Sequence, residues 1–484
     1  MSGGLAVVPP QTGTAAKLTP LERLETLCDP GSLHLIRTDV LSPRMGGRAR
    51  AGDGVVGGAG RVDGRPVYCY AQDPAYVGGS LGEAHADTIV RILRLADRAG
   101  APVVGFVESA GARLQEGLLA LGGYGRIFAE HVRLTARVPQ INVICGASAG
   151  GGSYAPALTD FVVMTEAANM FLTGPAVVEE VMGERLTATE LGGPKVHDRN
   201  GVAHFVARTD ADAAWLARDL LGYLSPRPRR AEEPTAPVPD LGVPADERKV
   251  YDVRGVIRGL TDGGRLLEVQ PRWARNVVTA FARLDGRAVG IVANQPKHLG
   301  GVLDADSAVK AASFVDTCDR FGVPLVVLVD TPGFLPGSKQ ERAGVIRHGA
   351  KLVRAFAAAR VPKVTVVLRK AYGGAFIAMN SKDLGADLAF AWPRAQLGVM
   401  GPKQAVGIIH RRDIAADPDP QAATGRFARA YAEEHLSART ATALGAIDEV
   451  VTPGETRARL VAALEALSPT PEPLPSHTRE TITC

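Results

Sequence analysis

The chain has 484 residues, of which 46% are hydrophobic and 22% are charged, and its formal net charge at pH 7 is +4. This apolar content is enough for two or three globular domains, and so small a charge excess argues against nucleic-acid binding as the main activity. The five cysteines form no Cys-x-x-Cys pair, no apolar run could span a bilayer, and no signal peptide is recognisable. We therefore expect a cytoplasmic protein that holds no metal and contacts neither nucleic acid nor membrane.

The first predicted elements lie before Gly64. Residues 1–17 read as a flexible tail, since they lack a regular apolar pattern. A short amphipathic helix is predicted over Pro20–Leu27. The turn-forming sequence Asp29-Pro30-Gly31 is expected to end it. Gly-rich turns and short strands then lead to the first long strand.

From Gly64 onward, strands alternate with helices. Val67–Asp73 is rich in strand-forming residues, and VVGFVE (103–108) is a continuous apolar run typical of a strand buried on both faces. Between them an amphipathic helix ends at Gly100 and carries an apolar stripe of Ala86, Ile89, Val90, Leu93 and Ala96. Such alternation predicts an α/β fold.

The same pattern then occurs a second time, from Gly286. The register is kept at an offset of 222 residues and resumes after one inserted residue, so that VPQINVICGASAGGGSY from Val138 corresponds to VPKVTVVLRKAYGGAF from Val361. The glycines that mark the repeat pair as Gly64 with Gly286, Gly100 with Gly322, and Gly111 with Gly333. Two copies of one fold are therefore expected in this chain.

A proline-rich segment separates the two copies. Residues 225–246 contain repeated prolines, mixed charges and few large apolar side chains, which predicts a linker. The expected domains are thus 18–224 and 247–468, and residues 469–484 form a second flexible tail.

Glycine clusters follow a predicted strand in both copies and precede a helix start. They are Gly150-Gly151-Gly152 in the first copy and Gly373-Gly374 in the second. Backbone N–H groups at such a helix start have no intrahelical partner, and glycine leaves them accessible, which is what an oxyanion hole requires. The alternative is that these glycines merely allow close packing, but two equivalent clusters favour function.

Motifs in both copies carry a family resemblance. GGSLGEAHADTI, SAGARLQEG and GGGSYAPALTDF occur in the first copy, and FVDTCDRFGVPLVVLVDTPGFLPG, VPKVTVVLRKAYGGAF and AWPRAQLGVMGP in the second. In this order they resemble the carboxyltransferase (β) subunit of biotin-dependent acyl-CoA carboxylases, most closely the propionyl-CoA/acetyl-CoA branch. The resemblance extends from about Leu18 to Arg459.

This resemblance implies two tandem crotonase-like domains of the ClpP/crotonase superfamily, each a spiral of ββα units. It also implies a homohexamer of two stacked trimers, in which the N-domain of one subunit faces the C-domain of another. The N-domain would bind acyl-CoA and the C-domain carboxybiotin. Since the chain has neither a Met-Lys-Met biotinylation segment nor an ATP-binding motif, a partner (α) subunit would supply biotin carboxylase and the biotin carrier.

The resemblance also implies site residues. Gly150 and Gly151 would donate to the thioester oxygen, and Gly374 and Ala375 to the biotin ureido oxygen. Further substrate-binding residues are Gly111, Ala112, Arg113, Tyr154, Gly373 and Ile377. Arg113 could hold a CoA phosphate or pair with Glu116. The propionyl-specific branch usually has Asp where this chain has Ile377, so acetyl-CoA and longer acyl groups remain open as substrates.

The implied reaction transfers the carboxyl group of carboxybiotin to the α-carbon of a short-chain acyl-CoA, and the biotin itself removes the α-proton. We therefore interpret His85, His298 and His348 as structural, Asp160 and Asp304 as residues that brace loops, and Lys370 as a residue that orients the second glycine cluster. Two alternatives stay open: a biotin-linked decarboxylase or transcarboxylase subunit, and a scaffold subunit without activity.

Overall fold

A computed structural model of the protein describes residues 17–224, 241–246 and 249–467. The predicted tails, apart from Lys17, and residues 225–240 of the predicted linker lie outside these residues. The end of that linker is packed rather than extended, because Leu241 is buried in the second half and its side chain lies over Gly259.

Each half contains one eight-stranded sheet. In the first half the strands are β1 His34–Ile36, β2 Val55–Val62, β3 Arg65–Gln72, β4 Val103–Ser109, β5 Gln140–Ala149, β6 Phe161–Thr165, β7 Asn169–Phe171 and β8 Phe205–Ala207. In the second half they are β9 Leu266–Val269, β10 Val277–Leu284, β11 Arg287–Asn294, β12 Leu325–Thr331, β13 Lys363–Tyr372, β14 Leu388–Ala391, β15 Gln396–Gly398 and β16 Glu449–Val450.

The helices follow the strands in the same two sets. Those of the first half are α1 Pro20–Leu27, α2 Glu83–Ala99, α3 Leu118–Leu134, α4 Gly151–Ala157, α5 Pro175–Met182, α6 Ala188–Gly192, α7 Pro194–His197 and α8 Asp210–Tyr223. Those of the second half are α9 Val253–Leu260, α10 Ala305–Arg320, α11 Ser338–Arg342, α12 Val345–Ala358, α13 Gly373–Ala378, α14 Pro402–Ile409, α15 Arg411–Ala416, α16 Pro420–Tyr431, α17 Ala438–Ala443 and α18 Thr456–Ala466.

The two sheets have the same topology. The strand order is β1-β2-β3-β4-β5-β6-β8 in one and β9-β10-β11-β12-β13-β14-β16 in the other, with β7 paired to β5 and β15 to β13. The strands from β3 to β8 pair in parallel, and so do those from β11 to β16. Parallel strands end at one edge of a sheet, so the glycine clusters after β5 and β13 lie at the same edge as the ends of β4 and β12.

Local sequence explains the elements that lead to that edge. α1 begins at a capping box between Thr19 and Glu22, as its predicted position requires. The predicted apolar stripe of α2 is buried, and Gly100 ends that helix with a left-handed φ of 60°. β4 and β12 are buried along their whole length.

The repeat is visible even in backbone irregularities. The pairing of β4 with β5 shifts register between Val107 and Ser109, and the pairing of β12 with β13 shifts at the equivalent Val329 and Thr331. The predicted α/β class and the internal duplication are both confirmed. No helix within the described ranges combines the length and the apolar character that crossing a bilayer requires.

One hydrophobic cluster extends across the two halves, and each half also has a cluster of its own. Phe281 of β10 contacts Phe161 of β6 with ring centroids 6.0 Å apart and stacks on Tyr223 of α8 at 5.8 Å. Each half therefore supports the other, and neither is an independent module joined only by the linker.

Candidate functional site

The glycine clusters occupy equivalent strand-to-helix turns. We call Gly150–Gly152 the first glycine loop and Gly373–Ala375 the second glycine loop. Gly150 and Gly373 open the two turns with φ of 57° and 60°, a left-handed conformation that favours glycine. The amides that follow belong to the first turn of α4 and of α13, where a helix offers its N–H groups no internal partner.

One predicted donor in the first loop needs correction. The N–H of Gly150 donates to the carbonyl oxygen of Phe171 at 3.1 Å, because β7 pairs with the end of β5 there. That amide is therefore not available to a substrate oxygen. Gly151 and Gly152 are the first-loop residues equivalent to Gly374 and Ala375, and among the described residues their amides have no backbone partner outside the helix.

Side chains brace the first glycine loop from below. A Cβ added to Gly151 would lie 2.7 Å from the ring of Tyr124, so the ring fills the space under the loop. The hydroxyl of Ser148 donates to the carbonyl of Gly152 at 2.8 Å, and the hydroxyl of Ser153 to the carbonyl of Ser148 at 2.8 Å. The loop is thus fixed by packing and by hydrogen bonds.

The second glycine loop has open space where the first loop has a ring. A Cβ added to Gly374 would meet no atom within 4 Å, and the side chain of Ile377, one turn later, is 49% exposed. No ring of the described residues approaches a Cβ at Gly374 as Tyr124 approaches one at Gly151. The second loop is therefore less enclosed by packing than the first.

Gly111 and Ala112 lie at the end of β4, at the same edge as the first loop. The amide of Gly111 donates to the hydroxyl of Ser109 at 3.2 Å, and that hydroxyl is 3.3 Å from the hydroxyl of Tyr124. Ala112 forms a bridge with Leu81. This network connects the end of β4 to the ring under the first loop and holds both in place.

The predicted contact between Arg113 and a CoA phosphate is wrong. The Arg113 side chain is fully buried, and it pairs with Asp53 at 2.6 Å and with Glu116 at 2.9 Å. It also donates to the carbonyl of Ser80. Of the two alternatives drawn from the sequence, the ion pair with Glu116 is the one observed, and the residue braces the loop after β4.

Exposed apolar side chains occur on corresponding elements of the two halves, namely α4 and α13, α3 and α12, α5 and α14, and the residues that follow β7 and β15. The pairs are Tyr154 and Ile377, Leu172 and Val399, Leu121 and Ile346, Val181 and Ile408, and Met182 and Ile409. Exposed apolar faces of this kind are typical of surfaces that another protein covers.

The three histidines interpreted as structural differ in their surroundings. His85 is fully buried, bonds to Gln72 and has a pKa lowered to about 3 because burial disfavours its charged form. Burial also lowers the pKa of His298, and His348 bonds to its neighbour Arg347. No set of three His, Cys, Asp or Glu in the described ranges is placed to hold a metal.

The acidic candidates brace loops as expected. Asp304 forms the capping box of α10. Asp160 pairs with Arg320 of the other half at 3.0 Å and accepts from the amide of Gln140. Lys370 precedes the second loop in β13, beside Gln396 of β15.

The sequence pattern did not identify a pair of buried carboxylates. Glu108, the next-to-last residue of β4, accepts from Arg23 at 2.9 Å, while the equivalent Asp330 of β12 accepts from Arg369 at 3.0 Å and from Tyr251 at 2.8 Å. Glu108 thus holds α1, and Asp330 holds the segment that precedes α9. Their equivalent positions in the repeat were the signal that could have revealed them.

Comparison with known proteins agrees with this geometry. Residues 12–482 match the carboxyl transferase domain family. The chain is 47% identical over 463 residues to a putative propionyl-CoA carboxylase beta chain of Bacillus subtilis, covering 93% of this chain and 91% of the relative. It is 44% identical over 467 residues to the methylmalonyl-CoA decarboxylase subunit alpha of Veillonella parvula, covering 93% and 90%.

A solved structure is equally similar. The transcarboxylase 12S hexamer with methylmalonyl-coenzyme A and methylmalonic acid bound superposes with a TM-score of 0.89 at 44% identity, covering 97% of this chain and 92% of that one. Its carboxyltransferase neighbours share the crotonase-like fold, which confirms the predicted fold class. This chain belongs to the carboxyl transferase family.

Proposed function

We propose that this chain is the carboxyltransferase subunit of an acyl-CoA carboxylase, which transfers a carboxyl group from carboxybiotin to the α-carbon of a short-chain acyl-CoA such as propionyl-CoA or acetyl-CoA. The products are methylmalonyl-CoA and malonyl-CoA. The observation that supports this proposal most is the pair of equivalent glycine loops, one in each half. A reaction with two carbonyl oxygens that gain negative charge needs two such sets of donors.

In this proposal the first loop serves the acyl-CoA. The amides of Gly151 and Gly152 hold the thioester oxygen, and their donation strengthens as the α-proton leaves and charge moves onto that oxygen. Tyr124 and Ser148 keep both amides in position before the substrate arrives. No change in the protein is then needed while charge develops.

The second loop serves biotin, which arrives as the carboxylated group of a partner. Its ureido ring supplies the transferable carboxyl group and, once that group departs, a basic site for the α-proton. The amides of Gly374 and Ala375 donate to the ureido oxygen. The open space over Gly374 fits a planar ring, and Ile377 would line the acyl pocket that it faces.

The active site is completed by a second copy of this chain. The equivalent apolar faces around Tyr154 and around Ile377 are exposed in one copy, and each would be buried if the first loop of one copy faced the second loop of another. The similar 12S protein assembles as a hexamer. We propose the same hexamer, a dimer of trimers, here.

The partner subunit carries biotin carboxylase and the biotin carrier domain, so the complete complex acts as an ATP-dependent ligase while this chain performs the transfer half-reaction. We place the complex in the cytoplasm. The four described cysteines, Cys28, Cys69, Cys145 and Cys318, are buried thiols, which is compatible with that reducing compartment.

A second candidate is a subunit of a biotin-linked decarboxylase or transcarboxylase, since relatives with those names share 44–46% identity. The deciding assay reconstitutes the chain with a biotin carboxylase and a biotinylated carrier domain. ATP- and bicarbonate-dependent carboxylation of propionyl-CoA or acetyl-CoA is the expected result. Transfer only between acyl-CoA and carboxylated carrier, with no net carboxylation, would favour the second candidate. Absence of any transfer would favour a scaffold.

A further inference from the structure

The helices that flank the two glycine loops differ in how their charges are neutralised. α3 flanks the first loop, and its basic residues are paired: Arg126 with Asp87 at 2.9 Å, and Arg133 with Asp97 at 2.5 Å and Glu130 at 2.7 Å. α12 is the equivalent helix beside the second loop. Its basic residues form no direct ion pair within the part of the chain that the structure describes, although Arg354 interacts electrostatically with Asp316 of the neighbouring α10.

We define the basic face as Lys339 and Arg342 of α11 with Arg347, Lys351 and Arg354 of α12. All five side chains are exposed. Glu341 is the only acidic residue between 338 and 354, so this short segment has a charge excess of +4, which equals the net charge of the whole chain. Exposed charge at this density creates a local positive field at the surface.

The basic face lies beside the second glycine loop. α12 packs against α13, which starts at that loop, and it also contacts α11. Ile346, at the start of α12, is 77% exposed and adjoins Arg347. The basic face therefore adjoins the second glycine loop on the side of α12.

We propose that the basic face is the docking surface for an acidic protein domain, the one that carries biotin into the second loop. This inference rests on the proposed function. Charges spread over two helices match the extended surface of a protein better than a compact phosphate group, which one or two arginines would hold. Exposed charges at the rim of such a contact mainly accelerate encounter and fix orientation.

The test compares two acceptors of the carboxyl group in the reverse reaction from methylmalonyl-CoA. Free biotin reaches the second loop without any protein contact, whereas a biotinylated carrier domain with net negative charge must dock. The variant is Arg347→Glu, Lys351→Glu and Arg354→Glu together, and the control is Arg98→Glu, an exposed arginine at the end of α2. Both variants are assayed as assembled oligomers.

We expect the triple variant to raise the KM for the carrier domain by roughly tenfold or more, with kcat and the KM values for free biotin and methylmalonyl-CoA unchanged. The control should behave as wild type. Raising the ionic strength should raise the KM of the wild-type protein for the carrier domain and have little effect on the KM of the triple variant.

Two results would overturn the inference. A higher KM for methylmalonyl-CoA with free biotin would assign the basic face to CoA phosphates. An unchanged KM for the carrier domain would show that the face has no part in docking. A wild-type protein that transfers to neither acceptor would instead refute the proposed function itself.

Discussion

The two glycine loops have the same backbone and different surroundings. Gly151 lies directly over the ring of Tyr124, and serine hydroxyls hold the first loop on both sides. A Cβ added to Gly374 would meet no atom within 4 Å. One loop is therefore fixed by packing, while the other is accessible.

This difference explains why glycine occurs at each position. At Gly151 the packing alone forbids a side chain, so glycine there would be required even without catalysis. At Gly374 the fold would accept a side chain, so glycine is explained by access to the amides. The second loop is thus the stronger evidence for function, and a firmly held first loop suits a substrate that must be oriented before its proton is removed.

The largest expected effect is that of Gly151→Val. The added side chain overlaps the ring of Tyr124 under the loop, which should destabilise the fold by about 1–3 kcal/mol, and the overlap displaces the first-loop amides, which should lower kcat by about 10²–10³-fold. Adding Tyr124→Leu relieves the overlap but removes the ring that positions the loop, so the double variant should regain thermal stability without regaining activity. Recovery of both in the double variant would assign Gly151 to packing alone.

Next in size is Arg113→Met. It leaves Asp53 and Glu116 buried without their cation, which should cost about 3–5 kcal/mol of unfolding free energy in a denaturant titration. The second half has Leu335 at the equivalent position, so this brace belongs to the first half. The surface control Arg126→Met should lose less than about 1 kcal/mol. A raised KM for acyl-CoA with stability intact would restore the phosphate-binding role.

Gly374→Val should change activity and leave the fold unchanged. Its side chain enters open space at the second loop and would obstruct the ureido oxygen, so kcat should fall by about 10²–10³-fold. The melting temperature should change no more than it does in the control variant. The matched control is Gly255→Val in α9, another glycine with nothing within 4 Å of an added Cβ. Full turnover in Gly374→Val would exclude the second loop from catalysis.

The smallest effect is expected from Ile377→Asp. Ile377 and Tyr154 occupy equivalent exposed positions, and only apposition of two copies would bring Ile377 to the acyl group. The ratio of kcat/KM for propionyl-CoA to that for acetyl-CoA should change roughly 10–200-fold, which corresponds to about 1–3 kcal/mol of discrimination. If acetyl-, propionyl- and butyryl-CoA keep their relative rates, Ile377 does not line the pocket.

Sequence reasoning was most successful where the repeat and local chemistry determine structure. The capping box at Thr19, the buried stripe of α2 and the equivalence of Gly100 with Gly322 depend on neighbours in the chain or on spacing, so they could be predicted. The two glycine loops emerged for the same reason, because each follows a continuous apolar strand.

What could not be predicted depends on contacts between distant segments. The amide of Gly150 is taken by Phe171 because β7 returns to pair with β5, and spacing alone does not reveal that return. Arg113 pairs with Asp53, sixty residues earlier. The ring of Tyr124 under Gly151 likewise requires the register in which α3 packs against α4.

The central claim is that the first loop of one copy and the second loop of another form one active site, and mixed oligomers test it most directly. Co-assembly of the Gly151→Val, Tyr124→Leu double variant with Gly374→Val pairs an intact first loop with an intact second loop at some interfaces. Each variant alone should be inactive, and the mixture should regain a substantial fraction of wild-type transfer. A mixture as inactive as its components, although size and composition show that mixed oligomers have formed, would contradict the account.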